Sequence, residues 1–187
     1  WHHAIRQLSE HEVVRGNHAT LLINGEQAFD SILKGIAEAE HYILFQFYMI
    51  HDDGLGRRVQ RALIEKALAG LVVVVLYDEV DSNGLSSDFI RCFRDAGVAI
   101  SAFKPTQGWR NRFQLNFRNH RKMVVVDGKY AWIGGLNVAD NYLGLDPDFS
   151  PWRDTHIRLE GPAALQVQLT LMGDWYWATR EQLQLNW

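Results

Sequence analysis

Leu71-Val72-Val73-Val74-Val75-Leu76 is an unbroken run of six apolar residues, closed in front by Gly70. It is too short for a buried helix and mostly β-branched, so it reads as a strand covered on both faces. Working outward, Val59, Leu63 and Leu68 recur at helical spacing and predict a helix over 55–69 with these residues inward. Before it, residues 42–50 (YILFQFYMI) are aromatic and continuous, a second buried strand. After the valine run, Ser86 or Ser87 caps a predicted helix over 86–96, and residues 98–103 return as a strand. Strands alternating with helices of this length imply βαβ crossovers and a parallel sheet.

The ends extend the pattern. Residues 19–23 read as a strand closed by an Asn24-Gly25 turn. Phe29, Ile32, Leu33 and Ile36 then mark a helix over 26–39. Residues 122–133 read as a hairpin through Asp127-Gly128, broken by Gly134-Gly135. A loop rich in Gly, Asp and Pro leads to a strand over 155–160. Pro162 opens a last helix with Leu165, Leu169, Met172 and Tyr176 on one apolar face. The fold class is therefore α/β, a mixed and largely parallel sheet sandwiched between helices. Residues 1–18 form a lead-in, 19–179 a single domain and 180–187 a tail.

Composition bounds the function. The 187 residues carry 19 Lys+Arg against 22 Asp+Glu, a net charge of −3, which excludes a globally basic nucleic-acid binder. Hydrophobic residues at 47% and charged residues at 22% exclude a disordered chain. Cys92 is the only cysteine, so neither a disulfide framework nor a cysteine-based zinc site is available; its place on a helical apolar face reads as a core thiol. No run reaches the roughly 18 apolar residues of a membrane-spanning helix. The opening Trp1-His2-His3 has neither a signal-peptide pattern nor an initiator Met, which suggests a piece of a longer protein.

One stretch departs from the acidic total. Between Asp95 and Asp127 there is no carboxylate, while Lys104, Arg110, Arg112, Arg118, Arg121 and Lys122 supply cations, with Trp109, Phe113 and Phe117 interleaved. Guanidinium forks and ammonium charges suit phosphate oxygens, although a solvated basic loop would look the same. His120 and Lys122 sit two apart at a strand start and so share a face. Clustered cations need an anionic partner. Asp127 falls on the other face or in the turn. Asp154 and His156 form a second pair at spacing two, and a carboxylate beside an imidazole can fix its tautomer. Spacing alone leaves open whether Asp154 meets His120.

His120-Arg121-Lys122-Met123-Val124-Val125-Val126-Asp127, followed by Gly134-Gly135-Leu136-Asn137, resembles the H-x-K-x-x-x-x-D…G-G/S-x-N signature of the phospholipase D superfamily at every fixed position. Residues 118–122, 134–142 and 152–162 more closely resemble the first half of bacterial cardiolipin synthases, as does the Gln46–Gly56 segment. The resemblance implies a metal-free phosphatidyltransferase or phosphodiesterase working on anionic phospholipid, phosphatidylglycerol, at the cytoplasmic side of a bacterial membrane. It makes His120 the nucleophile and Lys122 and Asn137 phosphate binders, with Gly135 and Arg118 beside them. It makes Asp154 the group that orients His120, and Asp127 a support. Superfamily members combine two such motifs and this chain holds one, so a second half or a dimer mate is expected to complete the site. A homodimeric nuclease and a non-catalytic anion- or lipid-binding fragment are the alternatives, a nucleic-acid partner being the less favoured.

Other features have plainer readings. His2, His3, His11 and His18 are spaced too irregularly for a metal site and read as surface. Trp175-Tyr176-Trp177 fits either a membrane interface or packing of the last helix, the latter favoured. Asp78, Glu79 and Asp81 follow the most buried strand and read as a loop rim.

Overall fold

A computed structural model describes residues 14–79, 82, 84–103, 119–148 and 150–185. Seven strands form one sheet: β1 (His18–Ile23), β2 (Tyr42–Phe47), β3 (Val72–Asp78), β4 (Ala99–Phe103), β5 (Met123–Val126), β6 (Tyr130–Gly134) and β7 (Thr155–Glu160), in the order β1-β7-β6-β5-β2-β3-β4. Helices α1 (Asn24–Glu38), α2 (Gly54–Leu68) and α3 (Ser87–Asp95) pack on one face, and α4 (Pro162–Thr179) covers the other. The sheet is mixed, as expected, but not largely parallel: two of its six strand pairings are parallel and four antiparallel. Its parallel part is the β2–β3–β4 wing, built by the α2 and α3 crossovers. The remaining pairings are antiparallel: a tight turn reverses the chain between β5 and β6, and the longer 135–154 connection reverses it again between β6 and β7.

Burial follows the apolar runs. All of β2 is buried, and so is β3 beyond Val72, as strands covered by helices on both faces must be. Gly35 on α1 leaves room for the indole of Trp132, which is 1% exposed, and a Cβ there would strike the ring. Ser86 caps α3 by accepting from the Phe89 amide at 3.1 Å. Asn24-Gly25 does not end β1 in a turn. Asn24 takes a left-handed φ of 62° and opens α1 directly.

Three inward assignments are reversed. Leu68 is 72% exposed, and Cys92 is exposed. On α4 the buried line is Ala164, Gln168, Leu171, Trp175 and Ala178, whereas Leu165, Leu169 and Tyr176 face outward. The helix is apolar nearly all round, so periodicity marked an apolar stripe but not the one that meets the sheet. Gln168 can occupy the buried line because it accepts the Tyr42 hydroxyl at 2.9 Å. Trp175 packs into the core, and Trp177 stacks on Phe103 with centroids 4.3 Å apart.

Candidate active site

The candidate residues collect at one end of the sheet, where β2, β3 and β6 finish and β5 and β7 begin. Crevices at strand ends of α/β sheets are habitual ligand sites. His120 is exposed and Lys122 is 4% exposed. The Lys122 ammonium lies 2.9 Å from His120 Nδ1 and donates to the His120 carbonyl, also at 2.9 Å. Tyr48, just past β2, supplies the floor: its ring lies 4.3 Å from the imidazole and 4.9 Å below the ammonium. The spacing of two thus brings imidazole and ammonium together, and an aromatic face helps to hold the buried cation.

Asn137 reaches the same end through the turn after β6. The Gly135–Val138 segment is stitched to the exit of β2, with Val138 donating to Met49 and His51 donating to Val138. The Asn137 side chain accepts the Met49 amide at 3.3 Å and donates to the Tyr142 hydroxyl at 2.7 Å. The second amide proton of Asn137 has no partner among the described residues. Burial pushes the Tyr142 hydroxyl pKa upward, the bond with Asn137 opposes this, and the nearby charge of Asp154 adds to it.

Both glycines of the turn answer to the D-x-H pair. A Cβ on Gly135 would collide with the Asp154 carboxylate, and one on Gly134 with the His156 ring. Asp154 accepts the Thr155 amide at 2.6 Å, and no hydrogen bond joins it to His120. The Gly135 amide donates to the Thr155 carbonyl at 3.1 Å, so this expected phosphate binder contributes space, not a donor. His156 is 1% exposed and neither ring nitrogen has a hydrogen-bond partner. Burial pushes its pKa down to about 4; Asp154 pulls it up and Lys122 pushes it further down, so both charges reach this ring.

Asp127 sits at the far end of β5, roughly 20 Å from His120 at strand rise. Its carboxylate accepts the amides of Glu40, His41 and Tyr42, each at 2.9 Å, and its φ of 51° makes the turn with Gly128. It anchors the start of β2.

Asp174 went unread in the sequence, and Asp78 was read otherwise. Asp174 on α4 accepts from Gln46 (2.8 Å), Asn119 (2.8 Å) and Arg121 (2.6 Å), gripping both neighbours of His120. Asp78, far from being a loop rim, is fully buried, and its carboxylate faces the Asn119 amide at 3.4 Å. Asn119 and Asp174 lie 55 residues apart, so no local spacing could flag them. His2, His3, His11, Asp81, Lys104, Trp109, Arg110, Arg112, Phe113, Phe117 and Arg118 lie outside the described residues, and His18 is a surface residue of β1.

Residues 32–149 match the family model described as "Cardiolipin synthase, PLD-like domain". The chain belongs to that phospholipase D-like family. Cardiolipin synthase A of Pseudomonas syringae pv. syringae is 50% identical over 178 residues, 95% of this chain and 37% of the relative. The chain therefore spans little more than a third of the curated relatives it matches. Two solved structures share the fold. NucT from Helicobacter pylori has a TM-score of 0.65 at 17% identity, covering 86% of this chain and 96% of that one. Nuc from Salmonella typhimurium, a phospholipase D family member, has a TM-score of 0.65 at 15% identity, covering 90% and 99%. In this phospholipase D-like domain the signature residues occupy one end of the sheet, apart from Asp127, and the family model spans all of them up to Asn137.

Proposed function

We propose that this domain is one catalytic half of a cardiolipin synthase-type phosphatidyltransferase, joining two phosphatidylglycerols into cardiolipin with release of glycerol. The observation that carries the reading is the Lys122 ammonium held at Nδ1 of an exposed His120. An ammonium has no lone pair, so Nδ1 accepts and the ring proton sits on Nε2. A phosphate oxygen draws Lys122 away, the proton moves to Nδ1, and the Nε2 lone pair becomes the nucleophile.

The Nε2–P bond then forms as the P–O bond to glycerol breaks. The leaving alkoxide takes a proton from an acid supplied by a second motif, in a longer chain or a second copy. In the second step the acceptor hydroxyl attacks phosphorus, the P–N bond breaks, and the hydroxyl proton returns to that same group. Lys122 and the spare Asn137 proton face the charge developing on the phosphoryl oxygens. Asp154 takes over Nδ1–H once Lys122 has left; its charge already reaches His156 and Tyr142 around the site. Arg118 adds a further cation to the same phosphate. The lipid substrate sets the work at the bacterial cell membrane, on its cytoplasmic side, although among the described residues no helix is long and apolar enough to cross a membrane.

The test uses the protein at its full natural length with phosphorus-labelled phosphatidylglycerol vesicles and a rapid quench. An acid-labile, alkali-stable label on His120, absent in His120→Ala, is the expected result. Cardiolipin formation that survives His120→Ala would overturn the assignment.

A further inference from the structure

His120 opens onto a cavity of about 600 Å³ whose described lining is Phe103, Asn119, His120, Arg121, Gly173, Asp174 and Trp177. Only part of this space is used by the chemistry above. Its outer wall is apolar, Trp177 stacked on Phe103 at a 19° interplanar angle. Among the described residues that line it, the one Lys or Arg is Arg121, whose side chain is 52% exposed.

Arg121 is held in place without being used up. Its Nη1 donates to both oxygens of Asp174, at 2.6 and 2.8 Å, while Nε and Nη2 have no hydrogen-bond partner among the described residues. Asp174 is the more occupied group: 13% exposed, it also takes Gln46 and Asn119. The arrangement fixes a guanidinium and leaves a fork of N–H donors directed at whatever enters the cavity, the geometry that suits a phosphodiester. Side chains alternate through residues 119–122: Arg121 goes with Asn119 to Asp174, and Lys122 with His120. Arg121 therefore does not share the phosphate gripped by Lys122.

We propose that Arg121, with the Phe103–Trp177 wall, forms a second anion subsite that takes the phosphodiester of the acceptor lipid, the wall lying along its glycerol and acyl carbons. This rests on the transferase reading above and deepens it. A reaction that joins two phosphodiesters brings a second negative charge up to a site already holding one. A fixed guanidinium beside the nucleophile offsets that repulsion and favours a charged acceptor over a neutral alcohol.

The test compares two reactions of the full-length protein on phosphatidylglycerol vesicles: cardiolipin formation, with an anionic acceptor, and exchange of labelled glycerol into phosphatidylglycerol, with a neutral one. Arg121→Gln is expected to lower the ratio of cardiolipin formation to exchange by about tenfold to a hundredfold, the range of a hydrogen bond to a charged group. Arg121→Lys, which can keep the contact with Asp174 and the charge but not the fork, recovers part of the ratio. Equal losses in both reactions, or an unchanged ratio, overturn the subsite while leaving the transferase reading intact. No exchange in the unsubstituted protein overturns both.

Discussion

Lys122 Nζ stands 2.9 Å from Nδ1 and 2.9 Å from the carbonyl oxygen of His120, so one ammonium holds both the ring and the backbone of the proposed nucleophile. Lys122→Met keeps the length and apolar stem but removes the charge. It is expected to slow phosphohistidine formation by about 10²–10³-fold, the scale of losing one stabilising donor. Single-turnover quench on vesicles measures this. A rate within a few-fold of the unsubstituted protein would remove Lys122 from the chemistry.

Asp127 should behave differently. Asp127→Asn converts an acceptor-only carboxylate into an amide facing three N–H donors. The expected cost is about 1.5–3 kcal/mol, from weakened bonds to a charged group, read as a lower urea midpoint. Phosphohistidine yield per folded molecule should stay level. A full-stability variant with no adduct would show the reverse and move Asp127 into the chemistry.

Gly135 and Asp154 cannot both carry side-chain bulk. Gly135→Ala alone should destabilise by about 1–3 kcal/mol through overpacking. In a background of Asp154→Ala the same change should cost clearly less. Urea denaturation of the four proteins gives the coupling, and additive costs would mean that the carboxylate can simply move aside.

His156 sets an acid limit. Its pKa is 6.5 in an unfolded chain and about 4 here, so between those values the unfolded state binds a proton that the folded state refuses. Stability from this group is complete above the upper value and falls as pH drops through the window, by about 3 kcal/mol in all. His156→Leu should lack this component. Unfolding curves across the window should therefore be steeper with pH for the unsubstituted protein, and parallel curves would refute the assignment.

The sheet was legible because its central strands are unbroken apolar runs, and Val72–Asp78 and Tyr42–Phe47 need no partner to be recognised. Which face of a helix meets that sheet was less so. On α4 the outward Leu165, Leu169 and Tyr176 outrank the inward Gln168 in hydropathy, and the Tyr42 hydroxyl on the sheet face beneath explains the inversion. The site divides the same way. His120 and Lys122 were readable as a pair from local spacing, and Asn137 only from the resemblance to the family signature. Asp174 and Asp78 hold the neighbours of His120 from other elements, Gln46 in turn holds Asp174, and these contacts exist only once the chain is closed.

β2 is bonded to β3 on one side and to β5 on the other, Ile43 lying opposite Val126. During synthesis the β2–β3–β4 wing can pair long before β5 has left the ribosome. Until then one margin of a strand that ends fully buried stays open, an edge able to recruit another chain. Closing it is also what delivers His120 to Tyr48. A nascent or truncated chain that stops short of β5 is therefore sticky and inert together, and aggregation and loss of function in this domain should share a single point of failure.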